Sequence, residues 1–238
     1  MIMERVDTRE TEALQAWYGA LNDEAAYSRR CWVYVPDGMA GLRALDVNCR
    51  NGKGAYKLAE AVGEEGFVLG TCVTAEQLAA ARAGVAKALA RAGLTTENLA
   101  FKQAFPEDLR GVAADDAFDV AYVNSSLNVA YDPVAVLMEV ARVLAPEGRL
   151  VLATVCADGP RNAEVRAAAR RLGNVVQAAP EFDPFLVKLG TLGFDKVRVL
   201  HRSPIETTAG VLEETVADPV ASAEAVTFSE VIIEAEKK

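Results

Sequence analysis

The stretch LDVNCRNGKG, residues 45–54, decides the fold of this chain. The apolar run Leu42–Val47 before it has the composition of a buried strand. After the turn, apolar residues between Ala55 and Val62 recur at helical spacing. A strand, a turn and a helix in this order present backbone N–H groups and the positive end of a helix dipole to a ligand. The stretch therefore predicts a ligand-binding loop after a buried strand.

The rest of the chain repeats this alternation of short apolar runs and helical patterns, which predicts a doubly wound α/β fold with a mainly parallel sheet. The predicted strands are Leu42–Val47, Phe67–Cys72, Leu99–Gln103, Phe118–Val123, Leu150–Val155, Val197–Leu200 and Val226–Glu234. Helices are predicted over residues 8–29, 55–62, 161–173 and 183–193. Two more are predicted to run from the cap Thr74 to Gly93 and to begin after the cap Asp132. A turn is predicted at residues 145–148 and a long connection at residues 202–224.

Composition limits the classes of function. The net charge of −9 argues against a nucleic-acid partner. No run reaches the roughly 20 apolar residues that cross a bilayer, and the first residues lack the apolar core of a signal peptide. We expect a soluble, cytoplasmic protein with an N-terminal helical extension, residues 1–35, and one domain, residues 36–238. The four cysteines lack CxxC spacing, so we expect reduced thiols and no metal site.

Three ordered stretches together resemble the S-adenosylmethionine-dependent class I methyltransferases. LDVNCRNGKG (45–54) resembles their glycine-rich cofactor loop, DDAFDVAYVNSSLN (115–128) their fourth-strand motif, and LAPEGRLVLATV (144–155) the turn and strand that follow. Three ordered blocks are more specific than one glycine-rich loop. The resemblance implies a Rossmann-like sheet of seven strands whose last strand is antiparallel.

Within this superfamily, two further stretches are most similar to the arsenite methyltransferase branch. They are VGEEGFVLGTCVTAEQLAAAR (62–82) and VNSSLNVAYDP (123–133). Arsenite methyltransferases bind the metalloid through cysteine thiolates, because soft arsenic prefers sulfur. Ser125 stands at the family's fourth-strand cysteine, and its later cysteine falls near Val176. The resemblance therefore implies a small-molecule substrate other than arsenite.

The resemblance also implies a site for S-adenosylmethionine beyond the carboxyl ends of the strands. Its candidate residues are Asp46, Asn48, Arg50, Gly52, Cys72, Val73, Phe105, Pro106, Glu107 and Asn124. No catalytic residue is predicted, because methyl transfer from a sulfonium depends mainly on positioning the nucleophile.

Three of these residues depart from the family pattern. Asn48 and Arg50 replace loop glycines. Cys72 replaces an acidic residue that accepts both ribose hydroxyls, and losing that contact costs about 1.5–3 kcal/mol. Two functions therefore stay open, an active methyltransferase and a non-catalytic relative that serves as a binding or heteromer-forming module. A third hypothesis is a binder of another anion at Arg50 and Lys53.

Aromatic residues of the N-terminal region are the last candidates. They predict either a lid over the site or ordinary packing, and they are Trp17, Tyr18, Tyr27, Trp32 and Tyr34. The single histidine, His201, has no partner at catalytic spacing and is not predicted to be a base. Oligomerisation, with itself or with a partner, stays open.

Overall fold

The computed structural model describes residues 8–21, 31–95, 97–206 and 226–238. The strands are β1 (Arg43–Val47), β2 (Phe67–Cys72), β3 (Leu99–Gln103), β4 (Phe118–Asn124), β5 (Leu144–Ala157), β6 (Phe194–Pro204) and β7 (Phe228–Lys237). The helices are α1 (Thr8–Ala20), α2 (Lys53–Val62), α3 (Ala75–Ala83), α4 (Val85–Ala92), α5 (Pro133–Val143), α6 (Ala163–Arg171) and α7 (Phe182–Thr191), with a 3₁₀ turn at Leu127–Val129.

The strands form one sheet in the order β3-β2-β1-β4-β5-β7-β6. Neighbours from β3 to β5 are parallel, and β7 pairs antiparallel with both β5 and β6. This arrangement confirms the predicted methyltransferase sheet with its reversed last strand. The strand order reverses between β1 and β4, and ligands of such sheets bind at this point, beyond the carboxyl ends of the strands.

Helices cover both faces of the sheet. The side chains of β1 show this, because they point alternately to the two faces. Leu45 and Val47 pack with α5 and α7 in one cluster of buried apolar side chains. Ala44 packs with α2 in a second cluster on the opposite face. Asp46 shares the face of Ala44, because side chains alternate along a strand. The sequence therefore directs one carboxylate towards the start of α2.

Two predicted helix starts are confirmed by their caps. The Asp132 carboxylate accepts the backbone N–H of Val134 and of Ala135, and Pro133 follows it. Thr74 accepts the N–H of Gln77 at 3.2 Å. These bonds satisfy donors that have no partner within the helix.

Several predicted boundaries are wrong. The helix expected up to Gly93 is divided at Gly84, where a Cβ atom would lie 2.1 Å from the Tyr56 hydroxyl, so the close approach of that ring needs glycine. The predicted turn 145–148 lies inside β5 as an out-of-register insertion between two paired segments.

The remaining differences concern the ends of helices and strands. α1 ends at Ala20, and residues 22–29 of the predicted helix lie outside the described residues. α6 is shorter than the predicted 161–173, and α7 begins at Phe182 after the cap Glu181. β6 is longer than predicted, and β7 begins and ends later than predicted. Most of the predicted connection, residues 207–224, also lies outside the described part of the chain.

Candidate functional site

The loop after β1 keeps a glycine-like backbone although it carries larger side chains. The φ angles of Asn48, Arg50 and Gly52 are 52°, 56° and 79°, all in the left-handed region. The loop is fixed by Thr71, whose carbonyl accepts the N–H of Cys49 at 2.7 Å and whose hydroxyl accepts that of Asn48 at 3.0 Å. Asparagine tolerates this region and arginine does so at a cost. The replaced glycines have therefore left the loop geometry in place.

Asp46, at the end of β1, lies below this loop and is buried. Desolvation raises the pKa of its carboxyl to about 8, and the backbone N–H of Ala55 partly offsets the effect. A Cβ atom at Gly54 would lie 2.7 Å from Asp46 Oδ2, so glycine lets the helix start approach the carboxyl group. Within the described residues, neither Asp46 Oδ2 nor Asn48 Oδ1 has a hydrogen-bond partner. Two buried acceptors without donors suit a ligand that carries N–H groups.

Two clefts meet at the loop. The first, with about 460 Å³ free of protein atoms, is lined by Tyr18, Leu21, Asn48, Arg50, Val73, Gln77, Ser125, Ser126, Val129, Gly173 and Val175. The second, with about 560 Å³, is lined by Cys31, Val33, Asp46, Asn48, Cys49, Arg50, Asn51, Lys53, Gly54, Tyr122, Asn124 and Ser125. Asn48, Arg50 and Ser125 line both, so a long ligand can extend from one cleft into the other.

The residues after β3 contact the N-terminal helix. The rings of Phe105 and Tyr18 are stacked, with centroids 5.8 Å apart and planes 17° apart. The Tyr18 hydroxyl donates to Glu107 Oε1 at 2.8 Å, and burial raises the pKa of the Glu107 carboxyl. Pro106 between them is buried. The segment predicted to frame a flat ring already holds the ring of Tyr18 against Phe105.

Cys72, the last residue of β2, lies beneath the loop after β1. Its side chain is fully buried, its Sγ donates to the Arg50 carbonyl at 3.3 Å, and it lies 3.5 Å from Cys49 Sγ. The contact with Cys72 and burial raise the pKa of Cys49, which therefore stays a neutral thiol at ordinary pH. After β2 it is Val73, and not Cys72, that lines a cleft.

The segment from residue 31 to 35 closes the second cleft against the end of β4. Asn124 Nδ2 donates to the Trp32 carbonyl at 3.3 Å, and Ser125 Oγ donates to Asn124 Oδ1 at 2.6 Å. The Cys31 N–H donates to Ser125 Oγ at 2.5 Å. Sequence reasoning missed Cys31 as a cleft residue, because it lies in a segment without periodicity that only the tertiary fold brings to β4.

The other aromatic candidates fall into two groups. Trp17 donates from Nε1 to the Val129 carbonyl at 3.0 Å and packs edge-on against Tyr131. Trp32 is 60% exposed and contacts Tyr34 and His201 edge-on. Tyr27 lies outside the described residues. Only Trp17 and Tyr18 therefore belong to a described helix that packs beside the first cleft.

The described ranges contain neither a metal-binding cluster nor a membrane-spanning helix. No group of three or more histidine, cysteine or acidic side chains there is arranged to hold a metal ion. No helix in those ranges has the length and apolar character needed to span a membrane.

Comparison with known proteins identifies the family. The family described as "Methyltransferase domain" matches residues 39–198. The chain belongs to this family. Its place is among the S-adenosylmethionine-dependent class I methyltransferases, near the arsenite branch, and the cofactor of this family is S-adenosylmethionine.

Individual relatives agree with this placement. The chain is 33% identical to an arsenite methyltransferase of Aquipseudomonas alcaligenes, over 79% of this chain and 54% of the relative. It is 36% identical to a demethylmenaquinone methyltransferase of Shouchella clausii, over 48% of this chain and 46% of the relative. The chain thus spans about half the length of these curated relatives.

A solved structure is also similar. The crystal structure of an arsenic(III) S-adenosylmethionine methyltransferase from Chlamydomonas reinhardtii is 28% identical, with a TM-score of 0.76 over 94% of this chain and 72% of that chain.

The residues present fit the family's cofactor at its amino acid end. The acceptors of Asp46 and Asn48 suit its ammonium group, and the backbone N–H groups at the start of α2, at Lys53 and Gly54, suit its carboxylate. At the nucleoside end, Val73 supplies an apolar wall, and Cys72 supplies no acceptor to the cleft.

Proposed function

We propose that this chain is an active S-adenosylmethionine-dependent methyltransferase that acts on a cytoplasmic small molecule other than arsenite. The observation that carries the proposal is a pair of buried, unpartnered acceptors where the two clefts meet, Asp46 Oδ2 in β1 and Asn48 Oδ1 on the loop after it. An unpaired buried polar atom costs about 1–3 kcal/mol. A site that keeps two of them beside a strained loop is organised for a ligand that supplies the missing donors.

In this proposal each cleft holds a part of the cofactor. The amino acid end lies by Asp46, Asn48 and the start of α2, and the nucleoside lies in the first cleft by Val73 and Gln77. S-adenosylmethionine supplies a methyl group on a sulfonium centre. The protein holds that centre where the clefts meet, so that a substrate in the part of the second cleft next to Cys31 and Asn124 reaches it in line.

The substrate is proposed to be other than arsenite because the second cleft offers poor sulfur ligands. The cleft contains the thiols of Cys31 and Cys49, with Ser125 between the segments that carry them. The pKa of Cys49 is raised, so this thiol stays protonated, and a thiolate is the form that binds soft metalloids. Val176 lies in an apolar cluster and supplies no ligand.

The N-terminal extension, residues 1–35, is proposed to cover the site of the Rossmann domain, residues 36–238. Leu14 and Tyr18 of α1 pack on Val73, and Tyr18 and Leu21 line the first cleft. Excluding water at this point protects a reactive sulfonium centre. The predictions of a cytoplasmic location, of no nucleic-acid partner and of a homo- or hetero-oligomer stay part of this proposal.

A binding experiment tests the cofactor part. Thermal unfolding is followed with increasing S-adenosylmethionine and S-adenosylhomocysteine, for the wild type and for Asp46→Asn. We expect a melting temperature that rises with ligand concentration, as binding linkage requires, and a smaller rise in the variant. A flat wild-type response at millimolar ligand contradicts the proposal and supports the non-catalytic alternative, to which the comparisons lend no support.

An activity experiment tests the substrate part. The protein is incubated with S-adenosylmethionine labelled in the methyl group and either arsenite with a thiol reductant or a small-molecule extract. We expect label in an organic product and none in methylated arsenicals. Labelled methylarsenicals would overturn the exclusion of arsenite, and cofactor binding without any labelled product would favour a non-catalytic role.

A further inference from the structure

A cavity separate from the cofactor clefts lies between α5, α6 and α7. It has about 990 Å³ free of protein atoms, part of which is open to solvent, and is lined by Leu127, Asn128, Asp132, Pro133, Val134, Leu137, Arg166, Arg170, Ala178, Pro180, Glu181, Pro184, Phe185 and Lys188. The 3₁₀ turn separates it from the first cleft, since Leu127 and Asn128 face this cavity while Ser126 and Val129 face the cleft. Asn128 fixes the partition, because its Nδ2 donates to the carbonyls of Val155 and Val175 at 2.8 and 3.0 Å.

Two arginines of one helix lie in this cavity without partners. Arg166 and Arg170 are one turn apart on α6, so their guanidinium groups lie on the same face and repel each other. The Nε atoms of both are buried, and neither has a hydrogen-bond partner in the described ranges. Burial lowers the pKa of both groups, and the charges of Arg170 and Arg161 lower that of Arg166 further. Both residues are half-buried, and a buried guanidinium nitrogen without an acceptor is unfavourable unless something supplies one.

Arg142 is another partly buried arginine, and its guanidinium group is satisfied. It donates to Glu139, Asp115 and the Ala113 carbonyl. Arg161, next to the cavity, donates to the Gln177 carbonyl and packs on the Phe228 ring. Among the described residues, Arg166 and Arg170 therefore lack the carboxylate partners that Arg142 has.

The acidic side chains at the cavity are already engaged. Asp132 Oδ1 caps α5 by accepting two backbone N–H groups. Glu181 Oε1 accepts the Arg161 N–H at 2.9 Å. Both attract the arginines electrostatically, but neither forms a salt bridge with them in the described part of the chain. Lys188 adds a third positive charge at the rim.

We propose that this cavity binds a small organic anion, with a carboxylate or phosphate group paired to Arg166 and Arg170 and an apolar part lying against Leu137 and Phe185. Guanidinium groups suit both oxyanions because their N–H donors match carboxylate and phosphate geometry. Beyond the arginines the cavity is lined by apolar side chains, so the ligand should carry an apolar part besides its anionic group. The inference does not depend on the proposed methyltransferase activity, because the partition keeps this cavity separate from the cofactor clefts.

The test uses probes that carry an anionic group, an apolar chain or both. Binding of octanoate, octyl phosphate, inorganic phosphate and octanol is measured by calorimetry on the wild type and on the double variant Arg166→Gln/Arg170→Gln. We expect saturable binding of the two amphipathic anions, weaker binding of inorganic phosphate and none of octanol. The double variant should bind the amphipathic anions at least about tenfold more weakly. A preference between the two anions tells whether the group is a carboxylate or a phosphate.

Arg171→Gln is the matched control, since Arg171 is an exposed arginine of the same final turn. It should leave anion binding unchanged. Without ligand, the double variant should unfold at the same or a higher temperature than the wild type, because a repelling pair has been removed. Titration with S-adenosylhomocysteine should give the same affinity in all three proteins, so failure here is distinguishable from failure of the proposed function.

Three results would overturn the proposal. The first is equal octanoate affinity in the wild type and the double variant. The second is no saturable binding of any anionic probe to the wild type at millimolar concentration, which would mean a solvated arginine pair only. The third is a large fall in melting temperature of the ligand-free double variant, which would give the arginines a structural role instead.

Discussion

The sheet core under α5 and α7 and the loop after β1 differ in how completely their groups are satisfied, although they adjoin each other. In the core, Leu45, Leu137, Leu152 and Ile233 are fully buried in one apolar cluster. At the loop, non-glycine residues adopt left-handed backbone and buried polar atoms lack partners. The core holds the fold, and the loop holds unfavourable features that, in our proposal, a bound ligand relieves.

The comparison separates substitutions that should change stability from those that should change binding. Residues of the core should affect unfolding and leave ligand affinity of the folded protein unchanged. Substitutions at the loop and at Asp46 should mainly change ligand affinity and should have smaller effects on unfolding.

The largest effect is expected in the core. Leu152→Ala removes a fully buried side chain from the centre of β5 and should lower the free energy of unfolding by about 2–5 kcal/mol, because a cavity remains. Urea unfolding measures the change. The exposed Val187→Ala on α7 is the control and should shift stability by less than about 0.5 kcal/mol. Equal losses in both variants would contradict the assignment of stability to this cluster.

The next effect concerns cofactor affinity and its pH dependence. Burial raises the pKa of Asp46 from 3.8 to about 8, so the carboxyl group is mostly neutral in the free protein at neutral pH. A bound ammonium favours the ionised form. Affinity for S-adenosylhomocysteine should therefore rise about tenfold from pH ~6.5 to pH ~8. Asp46→Asn should bind about ten- to a hundred-fold more weakly at pH ~8 and lose this dependence.

The Asp46 carboxyl group has the opposite pH dependence in its contribution to folding stability. Because its pKa is raised in the folded protein, the stability it contributes is fully present below pH 3.8 and is lost as the pH rises through about 8. The stability of Asp46→Asn relative to the wild type should therefore increase over this window. Chemical unfolding at several pH values measures both trends, and a wild-type affinity that falls with rising pH would contradict them.

A smaller effect is expected at the contact between α1 and the segment after β3. Tyr18→Phe removes the donor to Glu107 Oε1 and leaves that oxygen with the Asp132 N–H at 3.2 Å. Stability should fall by about 0.5–1.5 kcal/mol. The stacked ring remains, so affinity for S-adenosylhomocysteine should change little. A large loss of affinity in this variant would show that the hydroxyl, and not the ring, serves the site.

The smallest effect concerns backbone strain in the loop. Arg50→Gly should raise stability by about 1 kcal/mol or less, because glycine adopts left-handed backbone without the steric cost. It should also tighten cofactor binding by removing a long side chain from both clefts. A destabilised Arg50→Gly would show that contacts of the arginine outweigh the strain.

Prediction from sequence succeeded where local pattern and family resemblance act together. The caps at Thr74 and Asp132 followed from short motifs, and the seven-stranded sheet with its reversed last strand followed from the family resemblance. The division at Gly84 did not, because it depends on Tyr56, a residue far away in sequence.

In the candidate site, too, some features could be predicted from the sequence and others could not. Asp46, Asn48, Arg50 and Val73 could be placed around a cleft because the carboxyl ends of parallel strands meet at one edge. The burial of Cys72 beneath the Arg50 carbonyl could not be predicted, since the direction of a side chain at a strand end depends on the loop above it.

The most direct test of the central claim is a crystal structure of the protein with S-adenosylhomocysteine. We predict density for the ligand across both clefts, with its amino group within hydrogen-bond distance of Asp46 Oδ2 and Asn48 Oδ1 and its nucleoside against Val73. A ligand with its amino group elsewhere, or crystals soaked at millimolar ligand that show both acceptors still without a donor, would contradict the claim.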